Sequence, residues 1–580
     1  MAQPSIWLKL LRYLKPHGSA LAFGTIALLA TNLLGVYIPW RIKETVDSLN
    51  GAIEPQTLLV NCLILLALST VMMVIRIASR QAIFGVGREV EVALKQQIFA
   101  HLLTMAPSYF NTNQAGDLIS RSTNDVDNVR RLLGFSILSI VNTLFAYVLT
   151  LPLMFILDWQ LALGAMAVYP LMLGVVLVFS NRLRDEQQAV QEKLGDVSNL
   201  IQEDLNGIAL IKVYAQEENE RRAFDERNFA LRDNNIRLAL SRNLLFPLFG
   251  GLAAGSLIVL LALGGPRLAA GTLSIGAFTA LTVYVERLVF PTALLGFTLT
   301  SFQRGQVSLE RIEAILATPT TIADAPNAQS LTMAKGEVRA QNVTFTYPGR
   351  AEPALADLSF NLKPGEVVAV VGPIGSGKTT LANALCRLLE VSPNQLFLDD
   401  QDITQLKLTD LRYQVAYVPQ ESFLFGATVA ENIGYGRPDL PLAEVIRVAK
   451  LARVHDEIMT FPQTYETLVG ERGITLSGGQ RQRVALARAL LMDGAVLILD
   501  DALASVDNET AENILNNLTA QGNKTVLFVT HRLSAAARAD RVLVLDQGRL
   551  VEEGTHEQLS RQGGVYGALW TRYQLESVLT

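Results

Sequence analysis

The chain is poor in cysteine, in histidine and in net charge. It holds two cysteines and five histidines in 580 residues, and its 49 Lys and Arg nearly balance its 54 Asp and Glu. Cys62 and Cys386 fall in stretches of different character, so no disulfide framework is indicated and both are expected to be buried thiols. His17, His101, His455, His531 and His556 share no ligand spacing, which excludes a structural zinc site. A formal net charge of -5 without a basic face or stripe gives no reason to expect nucleic acid as a partner. Long uncharged runs are missing after about residue 303, while before it they dominate. With half the residues hydrophobic and a length beyond one core, this asymmetry predicts a membrane half and a water-exposed half.

Six apolar runs, near 18–40, 57–77, 133–157, 160–181, 244–266 and 273–298, are each long enough to cross a bilayer as a helix. The first follows Lys9, Arg12 and Lys15 as a signal peptide would, but its length and the lack of a small-residue cleavage pattern mark it as a retained span. Lys and Arg concentrate in 76–131, 182–243 and the N-terminal 15 residues and are sparse in the loops near 41–57, 158–159 and 266–272. That bias places both termini and the two long loops on the cytoplasmic side. Both loops keep helical apolar spacing, so the membrane helices are expected to continue into the cytoplasm and turn at 107–116 and 206–214. Ile6, Trp7, Leu10, Leu11 and Leu14 oppose Lys9, Arg12 and Lys15, which suits a short interfacial helix or a plain extension of the first span. Glu286 and Arg287 fall near the middle of the last run, where charge is costly; they line a path or form a structural pair between helices.

Residues 317–335 hold Pro319 and Pro326 and lack a periodic apolar face, so they read as a linker between a domain at 1–316 and one at 336–580. Short β-rich runs at 337–347, 358–362, 366–371, 395–399, 415–418, 496–500, 525–530 and 541–545 alternate with helical segments. They predict an α/β domain with a largely parallel sheet and an antiparallel edge, fused to the α-helical transmembrane domain.

Chemistry concentrates in the second domain. The run Glu366 to Val371 leads into Gly372-Pro373-Ile374-Gly375-Ser376-Gly377-Lys378-Thr379 and then into a helical Thr380 to Leu385. Strand, glycine-rich loop and helix in that order make a phosphate cradle: backbone N–H groups and a helix end face the anion, Lys378 adds charge and Thr379 can ligate magnesium. Asp500 ends an apolar run, at a strand tip where a carboxylate can hold the magnesium through water. Ser477-Gly478-Gly479 precedes a helix near Gln480 and makes a second anion-binding helix end in the same domain. One domain has no use for two such ends unless they serve different nucleotides.

With these motifs in place the chain resembles the ATP-binding cassette (ABC) transporters, and within them the half-size exporters with six membrane helices and one nucleotide-binding domain. The resemblance extends to Tyr109-Phe110, to Gly116-Asp117-Leu118-Ile119-Ser120-Arg121 and to Asn124-Asp125-Val126. It implies a cytoplasmic nucleotide-binding domain on a multi-pass protein of a bacterial plasma membrane, with ATP and Mg2+ as cofactors. It further implies that Tyr347 stacks on adenine, that Gly372 through Thr380 hold the phosphates, and that Gln420 senses the magnesium. Ser477, Gly478, Gly479 and Gln480 would cap the nucleotide of a second subunit, Asp507 would sit in the dimer-facing loop, and His531 would reach the γ-phosphate.

Two positions depart from the family pattern. The residue expected to orient attacking water is commonly Glu and here is Asp501, whose carboxylate is withdrawn by one C–C bond, ~1.5 Å. The dimer-facing loop reads Leu503-Ala504-Ser505-Val506-Asp507, with Ala where Ser is common. This resembles the degenerate-site subunit of heterodimeric exporters, so a partner chain carrying Glu is expected; the alternative is a homodimer in which Asp501 acts as a weaker base. The function expected is ATP-driven export of a drug, lipid or peptide by alternating access. An exporter-fold importer and an ATP-gated channel or regulatory subunit are the alternatives.

Overall fold

The computed structural model describes residues 6–49, 55–470, 473–520 and 524–579. It divides into two compact units, one holding residues up to Leu102 with Ala115–Thr318 and the other Leu103–Gln114 with Pro319 onward.

The first unit is helical. After a short α1 (Ile6–Leu14), whose residue 6–9 side chains lie outside the described ones, come α2 (Gly18–Ser48) and α3 (Pro55–Thr104). A tip helix α4 (Pro107–Thr112), which groups with the second unit, leads into α5 (Ala115–Ser120), α6 (Val126–Arg131) and α7 (Ile137–Met166). Then follow α8 (Val168–Asn206), α9 (Ile208–Val213), α10 (Glu217–Ala269) and α11 (Ile275–Leu316). Among the described residues, five helical stretches are long and apolar enough to cross a membrane by length and composition. On α3, Leu59, Leu63, Leu66, Val71, Met73, Val74 and Ile77 are all exposed, an apolar surface that a water-soluble monomer does not present.

The fourth apolar run is shared between two helices. Asp158 leaves the helical region (φ -164, ψ 111) and its Oδ1 accepts from the N–H groups of Gln160 and Leu161, both at 3.0 Å. It thereby caps the helix that restarts there, and its Oδ2 takes an ion pair from Arg267 at 2.6 Å. The second break, at Ala167, comes three residues before Pro170, whose ring cannot accept a continuing helix without clashing with the carbonyl of Met166.

Glu286 and Arg287 do not pair. Arg287 turns to α2, where its Nη2 donates to Asn32 O at 3.2 Å and Asn32 Oδ1 at 3.0 Å, while Asn32 Nδ2 donates to Asn142 on α7. Glu286 is exposed. The expectation of two buried thiols holds for Cys386 alone, since Cys62 lies exposed on the apolar surface of α3.

Two π-helical turns, Arg121–Asp125 and Leu132–Ser136, interrupt the rod from α5 to α7. At the first, buried Asp125 accepts from Ser308 Oγ at 2.7 Å and pairs with Arg311 at 3.1 Å. The same Arg311 reaches Asp117 at 2.6 Å, and Asp117 also pairs with Arg121 at 2.7 Å. A charged lattice thus fastens this segment to α11. Extended Ala106 before Pro107 turns the first hairpin, and Gly207, α9 and left-handed Ala215 (φ 51) turn the second.

The second unit carries the expected largely parallel sheet with an antiparallel edge strand and, beside it, a second, antiparallel sheet that was not expected. β1 (Val338–Phe345), β2 (Leu355–Leu362), β4 (Leu396–Leu398) and β5 (Gln401–Asp402) form an antiparallel sheet in the order β2-β1-β4-β5. A six-stranded sheet joins β3 (Val367–Val371), β6 (Val415–Val418), β7 (Val496–Asp500), β8 (Thr525–Val529), β9 (Arg541–Asp546) and β10 (Arg549–Gly554). Its order is β10-β9-β3-β8-β7-β6, parallel but for antiparallel β10. Val367, Ala369 and Val371 enter one core cluster and Val368 and Val370 the other, so β3 is buried on both faces. α12 (Lys378–Leu385) follows β3 and α13 (Leu408–Gln414) precedes β6. Between β6 and β7 stand α14 (Val429–Gly434), α15 (Leu442–Leu451), α16 (His455–Ile458) and α17 (Gly478–Leu491), and α18 (Asn508–Ala520) follows β7. Within 319–337 the chain runs without helix or strand but is held down by bonds between Gln329 and the backbone of Gln405 and Lys407.

Candidate nucleotide site

The parallel strands end side by side, and the loops beyond them shape a cleft of about 1370 Å³. The Gly372–Thr379 loop forms its floor because three of its residues have no Cβ: Gly372 (φ 153), Gly375 (φ 84) and Gly377 (φ 98). At Gly377 a Cβ would stand 2.5 Å from Ala354 O, a left-handed and crowded position that only glycine fills. Gly377 is the N-cap of α12, so the first N–H groups of that helix open onto the loop.

Lys378 is 6% exposed and its ammonium donates to Gly372 O at 3.0 Å, Pro373 O at 2.8 Å and Ser376 Oγ at 3.3 Å. Burial pulls it below its ordinary pKa, with Asp500 and Asp501 pulling the other way. Asp500 is 1% exposed; its Oδ1 accepts from Thr379 Oγ1 at 3.2 Å and its Oδ2 from the hydroxyl of Tyr417 at 3.4 Å. Burial, reinforced by Asp501, holds the Asp500 carboxyl above the usual carboxylate value against those two hydroxyls. A buried cation satisfied only by carbonyls and a hydroxyl, beside a buried carboxylate and a threonine, fits a polyphosphate with a divalent cation. Tyr347 lies over the same cleft, its hydroxyl 3.2 Å from Thr380 Oγ1 and its ring edge-on to Phe345 at 5.0 Å.

Asp501, Gln420 and His531 also line the cleft. Asp501 has left-handed backbone (φ 48), its N–H donating to Val529 O at 3.0 Å and its carbonyl accepting from Ala504 N at 3.1 Å. Gln420 and His531 are exposed. The structure therefore brings together Tyr347, the loop from Ile374 to Thr380, Gln420, Asp500, Asp501 and His531.

Ser477, Gly478, Gly479 and Gln480 are elsewhere. Among the described residues lining the cleft none comes from this segment. Ser477 caps α17, its Oγ accepting from Gln480 N at 3.2 Å while Gln480 Oε1 accepts from Ser477 N at 2.9 Å. Gly479 lies against the loop Leu503–Asp507: a Cβ there would be 2.9 Å from Ser505 O. Gln482, one turn along α17, accepts from Ser505 N at 2.8 Å, so loop and helix end form one piece. Asp507 accepts from Thr510 N at 2.8 Å, which holds its carboxyl below the usual range and caps α18.

Several residues of this machinery carry no local signal in the sequence. Arg532 follows His531 and donates to Val506 O at 2.6 Å and Ala504 O at 2.7 Å, tying the His531 turn to the loop Leu503–Asp507. Arg350 and Arg549 line the cleft from the antiparallel sheet side and from β10. The nearness of Arg350 to Tyr347 was the one available pointer; Arg549 and Arg532 are brought in only by the fold.

Comparison with known proteins agrees with this geometry. Residues 21–292 match the ABC transporter transmembrane region and residues 355–504 match the ABC transporter family. A multidrug resistance-like ATP-binding protein of Escherichia coli is 34% identical over 516 residues, 88% of this chain and 87% of that one. An ATP-dependent lipid A-core flippase of Idiomarina loihiensis is 33% identical over 560 residues, 96% of each chain. A solved structure of a bacterial Atm1-family ABC exporter with ATP bound superposes with a TM-score of 0.78 at 28% identity, covering 97% of this chain and 98% of that one. The chain belongs to the ABC transporter family, as an exporter-type protein that joins a helical membrane domain to an ATP-hydrolysing nucleotide-binding domain.

Proposed function

We propose that this chain is one half of a dimeric exporter, with residues 1–316 as membrane domain, 317–335 as linker and 336–580 as cassette. Two ATP molecules are shared, each between the Gly372–Thr380 loop of one subunit and the segment equivalent to Ser477–Gln480 of the other. What carries the reading is the separation of two anion-binding helix ends within a single cassette, one opening into the cleft and the other facing away with the loop Leu503–Asp507. A second subunit is the simplest means of using both.

In this assignment Lys378 and the loop N–H groups bind the phosphates, Thr379 and Asp500 hold Mg2+ with Gln420 beside them, and Tyr347 stacks on the base. Mg2+ supplies charge neutralisation at the transferring phosphoryl group. His531 reaches the terminal phosphate, Asp507 meets the partner, and Asp501 orients water from a carboxylate set back by ~1.5 Å, which can cost about a hundredfold in rate. Closure on ATP switches the membrane helices from inward- to outward-facing, and hydrolysis resets them. The cargo is a drug, lipid or peptide taken from the cytoplasm or the inner leaflet of a bacterial plasma membrane, with both termini cytoplasmic.

The shortened Asp501 and Ala504 favour a heterodimer whose partner carries Glu and hydrolyses faster. The test is ATP turnover of the chain purified alone against the chain co-purified with its partner. Slow turnover alone and fast turnover in the pair is expected; brisk turnover alone, lost in Asp501→Asn, overturns the heterodimer.

A further inference from the structure

Asp500 closes β7 two residues beyond Ile498, so it shares a face of the sheet with Ile498 and Val496, the face that packs with Leu381 and Leu385 of α12. On the neighbouring strand β6 the residue in register with Ile498 is Tyr417, and its ring packs against the same core cluster. On α12, Thr379 and Asn383 stand one turn apart. Strand, strand and helix thus bring three polar side chains to one buried carboxylate.

Shut off from water, the two Asp500 oxygens depend on protein donors. Lys378 is not one of them, because its ammonium is taken up by Gly372 O, Pro373 O and Ser376 Oγ. Among the described residues the donors are two hydroxyls, one for each oxygen: Thr379 Oγ1 on Oδ1 at 3.2 Å and Tyr417 on Oδ2 at 3.4 Å. Their positions differ. Thr379 ends the phosphate loop and is itself assigned to the cation, whereas Tyr417 stands on a strand and does not line the cleft. The terminal torsion of an aspartate is broad and nearly two-fold, so a carboxylate held at one oxygen can swing while one held at both cannot. The Tyr417 hydroxyl also donates to Asn383 Oδ1 at 3.1 Å, so Asn383 and Asp500 compete for one proton. Turned over, the Asn383 amide would present Nδ2 as a donor to the phenol oxygen and release that proton to the carboxylate.

We propose that Tyr417 is a positioning residue for the divalent cation, fixing the plane of the Asp500 carboxylate through Oδ2, with Asn383 as the rival acceptor that sets how much of the phenolic proton Asp500 receives. The inference rests on the reading of Thr379 and Asp500 as the pair that holds Mg2+, and deepens it by naming what holds the pair.

The test uses the full-length chain in detergent and the non-hydrolysable nucleotide adenylyl imidodiphosphate, titrated first in EDTA and then across a Mg2+ series. Tyr417→Phe keeps the ring and removes the hydroxyl. In EDTA its affinity for the nucleotide is expected to stay within about twofold of the parent, because the phosphate cradle is untouched. The Mg2+ concentration that gives half of the metal-dependent gain is expected to rise about tenfold, the scale on which losing a partner of a metal-holding carboxylate is felt. Asn383→Leu leaves Asp500 as the sole acceptor for the hydroxyl and should hold or lower that half-point; it carries the test should Tyr417→Phe not fold. A hydroxyl that served packing alone would instead weaken nucleotide binding equally with and without Mg2+. That result overturns the proposal, as does a Tyr417→Phe half-point within about twofold of the parent, or an Asn383→Leu half-point raised as far as the tenfold expected for Tyr417→Phe. Failure of the underlying reading is separable: Asp500→Asn would then leave the Mg2+ gain intact, whereas a gain lost in Asp500→Asn and kept in Tyr417→Phe fails only this inference.

Discussion

In the function proposed above, Asp501, which lines the nucleotide cleft, sets the rate of turnover through a reach shorter than that of the Glu expected there. Asp501→Glu is expected to raise phosphate release by the purified chain about tenfold to a hundredfold. The gain will stay below the upper figure if the left-handed backbone at this position strains the longer residue, since a non-glycine side chain there costs about 1–2 kcal/mol. Asp500 gives a second test, through pH. Its carboxyl is held above the usual value, so its ionised form is disfavoured in the folded chain; the associated stability is present below the unfolded value and is lost as pH rises through the folded one. Asp500→Asn should therefore raise the Tm of the nucleotide-free protein at pH 8, leave it nearly unchanged at pH 4, and abolish Mg-dependent nucleotide binding. Both carboxylates were legible in the sequence, because a charged pair closing an apolar run has few structural uses. Their environment was not. The hydroxyls of Tyr417 and Thr379 come from elements distant in sequence.

At the scale of elements, the glycine loop and its helix were legible since the strand, loop and helix are contiguous, whereas the lattice around Asp125 was not. Its key member, Arg311, lies on α11 and nothing in its local sequence points to Asp117 or Asp125. The pattern Gly116 to Arg121 carried the resemblance, and the structure supplies a physical reason for it: Asp117 bridges Arg121 and Arg311. Arg311→Ala is expected to destabilise the membrane unit by about 1–2 kcal/mol, discounted for the partial exposure of its side chain, because Asp125 is left buried with only Ser308 as partner. Adding Asp125→Asn should recover most of the loss in a detergent thermal-shift assay, and no recovery would mean that Arg311 acts through packing alone. The two-sheet architecture was missed for a related reason. Alternation reveals strands but not which neighbours they choose, and β10 is a partly exposed, charge-rich strand that reads as a loop.

For the whole molecule, the expected outcome is association on nucleotide. Chains carrying Asp501→Asn, with ATP and Mg2+ in mild detergent, should run as dimers together with the partner subunit, and as single chains with Lys378→Ala; single chains under both conditions would remove the shared-site reading. The membrane division of the chain was legible from composition alone, because α3 displays leucines, valines and methionines that only lipid or another helix can cover. The breaks at Asp158 and Pro170 needed backbone geometry to place. One feature of α3 has a practical use. Cys386 is buried and its thiol is pushed up to about 12 by that burial, so it stays protonated and inert, whereas Cys62 is exposed. Of the two thiols, Cys62 alone is then open to a membrane-permeant maleimide spin probe or fluorophore, and its apolar surroundings will make the attachment slow. In a symmetric assembly that yields one intersubunit distance for spectroscopy to follow through the ATP cycle, and in a heterodimer whose partner lacks an accessible thiol it yields none.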